Sequence, residues 1–168
     1  MITKLSNEER VLVTGPQRSG TRIAAKIIAN DLGYKYVDED EFGVYDIARF
    51  LGIYEQQTNI VIQCPSMSRY AHLFNHEGTF IVFMMRDVAE IIASQKRINW
   101  TADKEERRRY GNVKDERPIS VIKYDYWERV QKPMTLKYLE MNYNDLSTSH
   151  LWISKANRLK FTAKQTEL

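Results

Sequence analysis

The sequence predicts an α/β fold: a central parallel β-sheet of about five strands, flanked by helices in three layers. Three observations carry that expectation. Short apolar runs alternate along the chain with stretches of helical period. The runs Val11-Leu12-Val13 and Phe80-Ile81-Val82-Phe83-Met84-Met85 are continuously apolar, as in strands covered on both faces. A turn with two glycines, Gly15 and Gly20, joins the first run to the first helical stretch.

Each element has its own signal. Val11 to Thr14 reads as a buried strand ending at Gly15. From Thr21 to Leu32, Ile23, Ile27, Ile28 and Leu32 recur at helical spacing, and Gly33 is the stop. Tyr34 to Val37 is a second short strand, closed by the acidic run Asp38-Glu39-Asp40-Glu41. Val44 to Leu51 reads as a helix, Asn59 to Gln63 as a third strand punctuated by Pro65, and Ser66 to Phe74 as another helix. Thr79 to Met85 is the most hydrophobic strand, and Val88 to Arg97 follows as a helix with Val88, Ile91 and Ile92 inward. A helix around Ile119–Val130, a strand at Thr135–Met141 and a last helix after Asn144-Asp145 complete the alternation. Between them, Thr101 to Arg117 mixes Lys104, Arg107, Arg108, Arg109, Lys114 and Arg117 with Asp103, Glu105, Glu106, Asp115 and Glu116. It reads as a solvated charged segment or as a lid over an anionic ligand.

Composition sets bounds on function. The 168 residues fit one domain, residues 1–168, and 43% apolar content is enough for a core. With 25 basic against 22 acidic residues the net charge of +3 assists an anionic ligand. It does not argue for nucleic acid, because the basic cluster is interleaved with acids and has only Tyr110 to stack on a base. One cysteine, Cys64, excludes an internal disulfide and reads as a small buried residue. No stretch of about 18 apolar residues occurs, so no membrane span is expected. The segment Met1 to Arg10 lacks a secretory apolar run, which makes the cytoplasm the expected location.

The turn Gly15-Pro16-Gln17-Arg18-Ser19-Gly20-Thr21-Arg22 is the strongest chemical signal. A glycine-rich link from strand to helix aims successive backbone N–H groups, and the positive end of the helix dipole, at one point. An anion held there is held mostly by main chain, so glycines stand where a phosphate approaches closely. Arg18 adds a planar fork that suits phosphate or sulfate oxygens. The nucleoside-triphosphatase form of such a P-loop is G-x-x-x-x-G-K-[ST]. Here the glycine spacing fits, but Thr21 replaces the lysine and Arg22 replaces the metal-binding hydroxyl. Gln63-Cys64-Pro65 and Arg86 occupy the strand ends where a metal-holding aspartate is usual, with Asp87 a weak substitute.

Arg18-Ser19-Gly20-Thr21-Arg22 resembles the 5′-phosphosulfate loop of P-loop sulfotransferases. A second motif matches the same family: its members bind the cofactor's 3′-phosphate with an arginine ending a buried strand and a serine eight residues later. Here those residues are Arg86 and Ser94. Gln63-Cys64-Pro65-Ser66 is similar to the family's Lys-x-Pro segment, and Tyr143-Asn144-Asp145-Leu146 to its Tyr-Glu-Asp-Leu signature. Departures are Val88 at the usual proline, Gln63 at the lysine, and a shorter chain.

The resemblance implies a three-layer P-loop fold and transfer of a sulfuryl group from 3′-phosphoadenosine 5′-phosphosulfate to a hydroxyl or amine, with no metal required. Gly15, Arg18, Ser19, Gly20, Thr21, Arg22, Arg86 and Ser94 would bind the nucleotide, and Arg18 would also neutralise charge on the transferring group. Arg158 and Lys160 are further candidates for the 3′-phosphate. For the general base, some relatives use a carboxylate beyond the second strand; Glu41 is the first choice, with Glu39 and Asp40 next. The alternatives are a P-loop kinase of a nucleotide or small metabolite with an altered loop, and a nucleotide-binding relative without turnover. His72 and His76, four apart, have no third metal ligand at suitable spacing. Tyr124, Tyr126 and Trp127 could stack on a base or line an acceptor pocket, but their helical spacing favours core packing.

Overall fold

The computed structural model describes residues 8–74, 76, 78–111 and 113–146. The expected last helix, His150, Arg158 and Lys160 lie outside the described residues. Five strands form one sheet in the order β2-β3-β1-β4-β5: β1 Arg10–Thr14, β2 Lys35–Val37, β3 Ile60–Gln63, β4 Thr79–Met85 and β5 Tyr138–Asn142. All four pairings are parallel, with Val11 opposite Val61 on one side and opposite Phe80 on the other. Parallel neighbours require crossovers, and these are α1 Thr21–Leu32, α2 Glu39–Phe42 with α3 Ile47–Gln56, and the 3₁₀ segment Pro65–Phe74. Beyond β4 come α4 Val88–Arg97, α5 Asp103–Arg109 and α6 Ile119–Tyr126, followed by a π-turn over Trp127–Gln131.

The alternation of side chains along β1 divides the core. Val11 and Val13 pack on one face against Ala24, Ala25, Ile27 and Ile28 of α1. Leu12 packs on the other with Phe42, Phe50, Met67, Phe74 and Trp127. Trp127 is fully buried and stacks on Phe83 with ring centres 4.2 Å apart. This is the three-layer α/β arrangement expected from the sequence.

Several boundaries differ for local reasons. The acidic run after β2 is helical: Asp38 caps it by accepting from the Asp40 N–H, and Glu41 completes a capping box. α3 starts three residues late because Asp46 caps it through the Arg49 N–H at 2.9 Å. Pro65–Phe74 winds as 3₁₀ turns, opened by Met67 N–H to the Cys64 carbonyl. The charged stretch after α4 contains α5, whose Glu106 is buried, so it is neither wholly solvated nor detached from the body.

β1 neighbours both β3 and β4, and the chain runs from it first to one side of the sheet and then to the other. The carboxyl end of β1 is therefore the switch point of the sheet, where open parallel sheets present a crevice. The loop 15–20 sits there.

Candidate functional site

The loop owes its shape to three residues in left-handed backbone: Gly15 at φ 136°, Arg18 at 72° and Gly20 at 97°. A Cβ on Gly20 would lie 2.5 Å from the Tyr143 ring, and one on Gly15 would meet the Met84 carbonyl at 3.0 Å. Both glycines are thus fixed by close approach as well as by conformation. Gly20 begins α1, with its carbonyl accepting from the Ala24 N–H. Arg18 is the exception. A branched-free but bulky side chain there is strained, which is characteristic of functional turns.

Arg18 turns its Nε to Ser94 Oγ at 3.0 Å, and Arg97 Nη2 approaches the same hydroxyl at 3.4 Å. Arg86 Nη1 donates to the Arg18 carbonyl at 2.9 Å. The Arg86 guanidinium lies 3.9 Å from the centre of the Tyr143 ring, pairs with Glu90 at 3.0 Å, and has its backbone N–H held by the Tyr124 hydroxyl. The loop motif and the strand–helix motif, 68 residues apart for Arg86 and Arg18, therefore meet in one place. Burial, reinforced by the charges of Arg97, Arg86 and Arg22, holds the Arg18 pKa below its ordinary value. Ser19 Oγ is buried with no hydrogen-bond partner among the described residues. Positive charge and an unused hydroxyl at the turn that opens α1 fit an anion.

On the other flank, Arg22 pairs with Asp38 at 2.9 Å and Asp40 at 3.1 Å. Thr21 is buried and its hydroxyl accepts from Gln63 Nε2 at 3.0 Å, while Gln63 Oε1 receives the Glu39 N–H at 3.4 Å. Gln63 thus ties the start of α1 to the start of α2.

Glu41 does not turn into the crevice, contrary to the sequence-based expectation: it is exposed and accepts from the Asp38 N–H at 3.3 Å. The inward carboxylate is Glu39, whose Oε2 accepts from the Ser66 N–H at 3.2 Å. Burial raises its pKa, partly offset by Ser66, with Asp38 raising it further and Lys123 lowering it. Asp40 stays exposed on Arg22.

Other sequence candidates take packing positions. Cys64 is buried, its thiol pushed up by burial, and its carbonyl accepts from Thr14 Oγ1 at 2.9 Å. His72 meets Gln131 at 3.1 Å. Tyr126 lies edge-on to Tyr110 with a centroid distance of 5.4 Å.

Sequence reasoning missed a buried polar group beneath the loop. Lys123 Nζ lies 2.5 Å from Glu106 Oε2, both with essentially no exposure. Gln17 spans the pair, and Tyr45 Oη donates to Glu106 at 2.5 Å. The available signal was periodicity: Lys123 falls on the stripe of Ile119, Ile122 and Tyr126, the apolar face of α6.

No family model matches the chain, and no curated protein matches it. Among solved structures it is similar to shikimate kinase from Acinetobacter baumannii in complex with shikimate, with a TM-score of 0.55 and 11% identity over 99% of this chain and 96% of that one. A shikimate kinase from Bacteroides thetaiotaomicron gives a TM-score of 0.49 at 14% identity, covering 95% of this chain and 97% of that one. The YorR protein from Bacillus subtilis in complex with phosphorylated GDP gives 0.48 at 12%, covering 95% and 96%. The first of these likenesses is one of fold: this chain has the P-loop α/β fold of such kinases.

Proposed function

We propose that the chain is a nucleotide-dependent P-loop transferase, and that it moves a sulfuryl group from 3′-phosphoadenosine 5′-phosphosulfate to a hydroxyl or amine acceptor. The carrying observation is the convergence of Arg18, Arg86, Arg97 and Ser94 through direct contacts of 2.9 to 3.4 Å. The loop and the strand–helix pair thus lie side by side, which supports a nucleotide bearing phosphate at both its 5′ and 3′ positions. The nucleotide, when bound, supplies the activated sulfuryl group and a bisphosphate leaving group.

The chain's own residues would do the rest. Backbone N–H groups of Gly20 and Thr21 and the Ser19 hydroxyl, with Gly15 giving clearance, would hold the 5′ end, the Ser19 N–H being taken by the Pro16 carbonyl at 3.1 Å. Arg18 would stabilise charge on the oxygens around the transferring sulfur, where preorganised donors contribute most. Arg86 and Ser94 would hold the 3′-phosphate, with Tyr143 keeping the guanidinium flat. Arg22, engaged with Asp38 and Asp40, would shape the flank of the loop. The acceptor oxygen or nitrogen would bond to sulfur as the bridging sulfur–oxygen bond broke and the bisphosphate left, and Glu39 would take the acceptor's proton. A carboxylate with a raised pKa is suited to that role.

The fold shared with a shikimate kinase supports a second reading: phosphoryl transfer from a nucleoside triphosphate to a small metabolite. Thr21 facing Gln63 and Arg22 facing Asp38 stand against it, because those positions hold the lysine and the metal-binding hydroxyl in such enzymes. A binding protein without turnover is distinguished by indifference to Glu39→Gln. Calorimetry of adenosine 3′,5′-bisphosphate without metal against ATP with magnesium, on wild type and Arg86→Ala, decides among nucleotides. Metal-free binding of the bisphosphate that is weakened roughly 10- to 100-fold in Arg86→Ala is expected. Magnesium–ATP binding indifferent to Arg86 would move phosphoryl transfer to the front.

A further inference from the structure

We propose that the buried ion pair Glu106–Lys123 is a positioning device for the anion loop, acting through the side chain of Gln17. The proposal rests on the loop binding an anion, and is independent of which nucleotide carries it.

The geometry is unusual in its completeness. Gln17 Nε2 donates to Glu106 Oε1 at 2.6 Å, and Gln17 Oε1 accepts from Lys123 Nζ at 2.6 Å. Each end of the amide therefore meets a fixed charge of the matching sign, so only one orientation of the side chain satisfies both. The charges are themselves fixed. They lie 2.5 Å apart with side-chain exposures of 0% and 1%, Tyr45 holds Glu106 by a hydrogen bond, and Arg109 lies 4.0 Å from the centre of the Tyr45 ring. Gln95 Nε2 reaches the Gln17 carbonyl at 3.5 Å.

A buried ion pair is a poor stabiliser, since desolvation cancels much of its attraction. Its presence here is better accounted for by orientation. Gln17 immediately precedes Arg18, whose backbone is left-handed at φ 72° and whose side chain is directed at Ser94. A loop residue held in such a conformation persists only when its surroundings over-determine it. Pinning the neighbouring side chain to α5 and α6 supplies that constraint. Glu106 and Lys123 are too buried to touch a nucleotide, so they position the loop and take no part in contacting ligand.

The test is a thermodynamic cycle read by calorimetric titration of inorganic pyrophosphate, on the full chain. Gln17→Ala releases the loop while leaving the ion pair intact, and is expected to weaken pyrophosphate binding roughly 5- to 150-fold. Glu106→Gln in the wild-type background is expected to weaken it comparably. In the Gln17→Ala background the same Glu106→Gln change is expected to weaken it no further, although its thermal destabilisation persists. A purely structural role for the pair predicts equal affinity losses in both backgrounds, and that result overturns the proposal. Wild-type affinity in Gln17→Ala overturns it as well, even if Glu106→Gln fails to fold. Absence of pyrophosphate binding by the wild type overturns the anion-loop reading and this proposal together. Pyrophosphate binding with the expected cycle, but without affinity for the adenosine bisphosphate, sustains this proposal while removing the sulfuryl-transfer reading.

Discussion

At the residue scale the proposed chemistry turns on one carboxylate. Glu39 has its pKa raised above the ordinary 4.5 by burial, so the folded chain holds that proton more tightly than the unfolded chain does. The stability this contributes is present below the ordinary value and is lost as pH rises through the folded value. Above that point Glu39 is charged, partly desolvated and competent as a base. Glu39→Gln retains an acceptor for the Ser66 N–H without the charge. It is expected to raise the melting temperature at neutral pH while lowering turnover roughly 100- to 10,000-fold. Glu41→Gln is expected to leave turnover near wild type, because Glu41 only caps α2. In wild type the rate should rise with pH through a step displaced upward from the ordinary glutamate value, and that step should vanish in Glu39→Gln. Parallel pH profiles for the two proteins would remove Glu39 from the mechanism. Arg86→Ala deletes charge-assisted bonds at the other end of the site, and a roughly 10- to 100-fold rise in the Kd for adenosine 3′,5′-bisphosphate is expected by calorimetry.

At the element scale the buried pair couples α5 to α6 and both to the loop. Removing one partner leaves a lone buried charge, so Lys123→Met is expected to cost roughly 3–5 kcal/mol in urea unfolding. Adding Glu106→Gln to it removes the stranded carboxylate, and the double variant should recover part of that loss. A double variant less stable than Lys123→Met would mean that Glu106 is held mainly by Tyr45 and Gln17. This part of the molecule was the least legible from sequence. β1, β3, β4 and α1 are written plainly in continuous apolar runs and helical spacing, and the loop follows from its glycines. The arginine and serine eight apart were legible too, because a strand end and a position about two turns into the following helix fix where both side chains go. Glu106 was not: inside a run of alternating charges nothing local separates a solvated glutamate from a buried one. Its burial depends on Lys123, 17 positions on, and Lys123 shows itself only by occupying the apolar stripe of α6. Glu41 misled for a related reason. In a four-residue acidic run, which carboxylate turns inward is decided by helix register, and the cap at Asp38 sets that register.

At the scale of the whole molecule, the switch point of the sheet gathers Arg18, Arg22, Arg86 and Arg97 onto a chain whose net charge is only +3. Arg22 and Arg86 are offset by carboxylates, whereas Arg18 and Arg97 converge on one hydroxyl. The fold therefore carries like-charge repulsion that an anion would relieve, beside a strained residue at Arg18. Sites of this kind lower stability for the sake of binding. Sulfate should stabilise the protein beyond what ionic strength does, by about 1.4 kcal/mol at ten times its Kd. For a chain of this size that is a rise of roughly 3–5 °C in melting temperature over chloride at matched ionic strength. Arg18→Gly removes one of the converging charges and adopts the left-handed backbone freely. It should melt higher than wild type without sulfate, and should lose the sulfate-specific increment. Scanning calorimetry of both proteins in both salts reads the two effects separately. If Arg18→Gly melts lower than wild type in chloride, the strain and repulsion at residue 18 are outweighed by its bond to Ser94. If it keeps the sulfate increment, the Arg18 side chain contributes nothing to holding the anion.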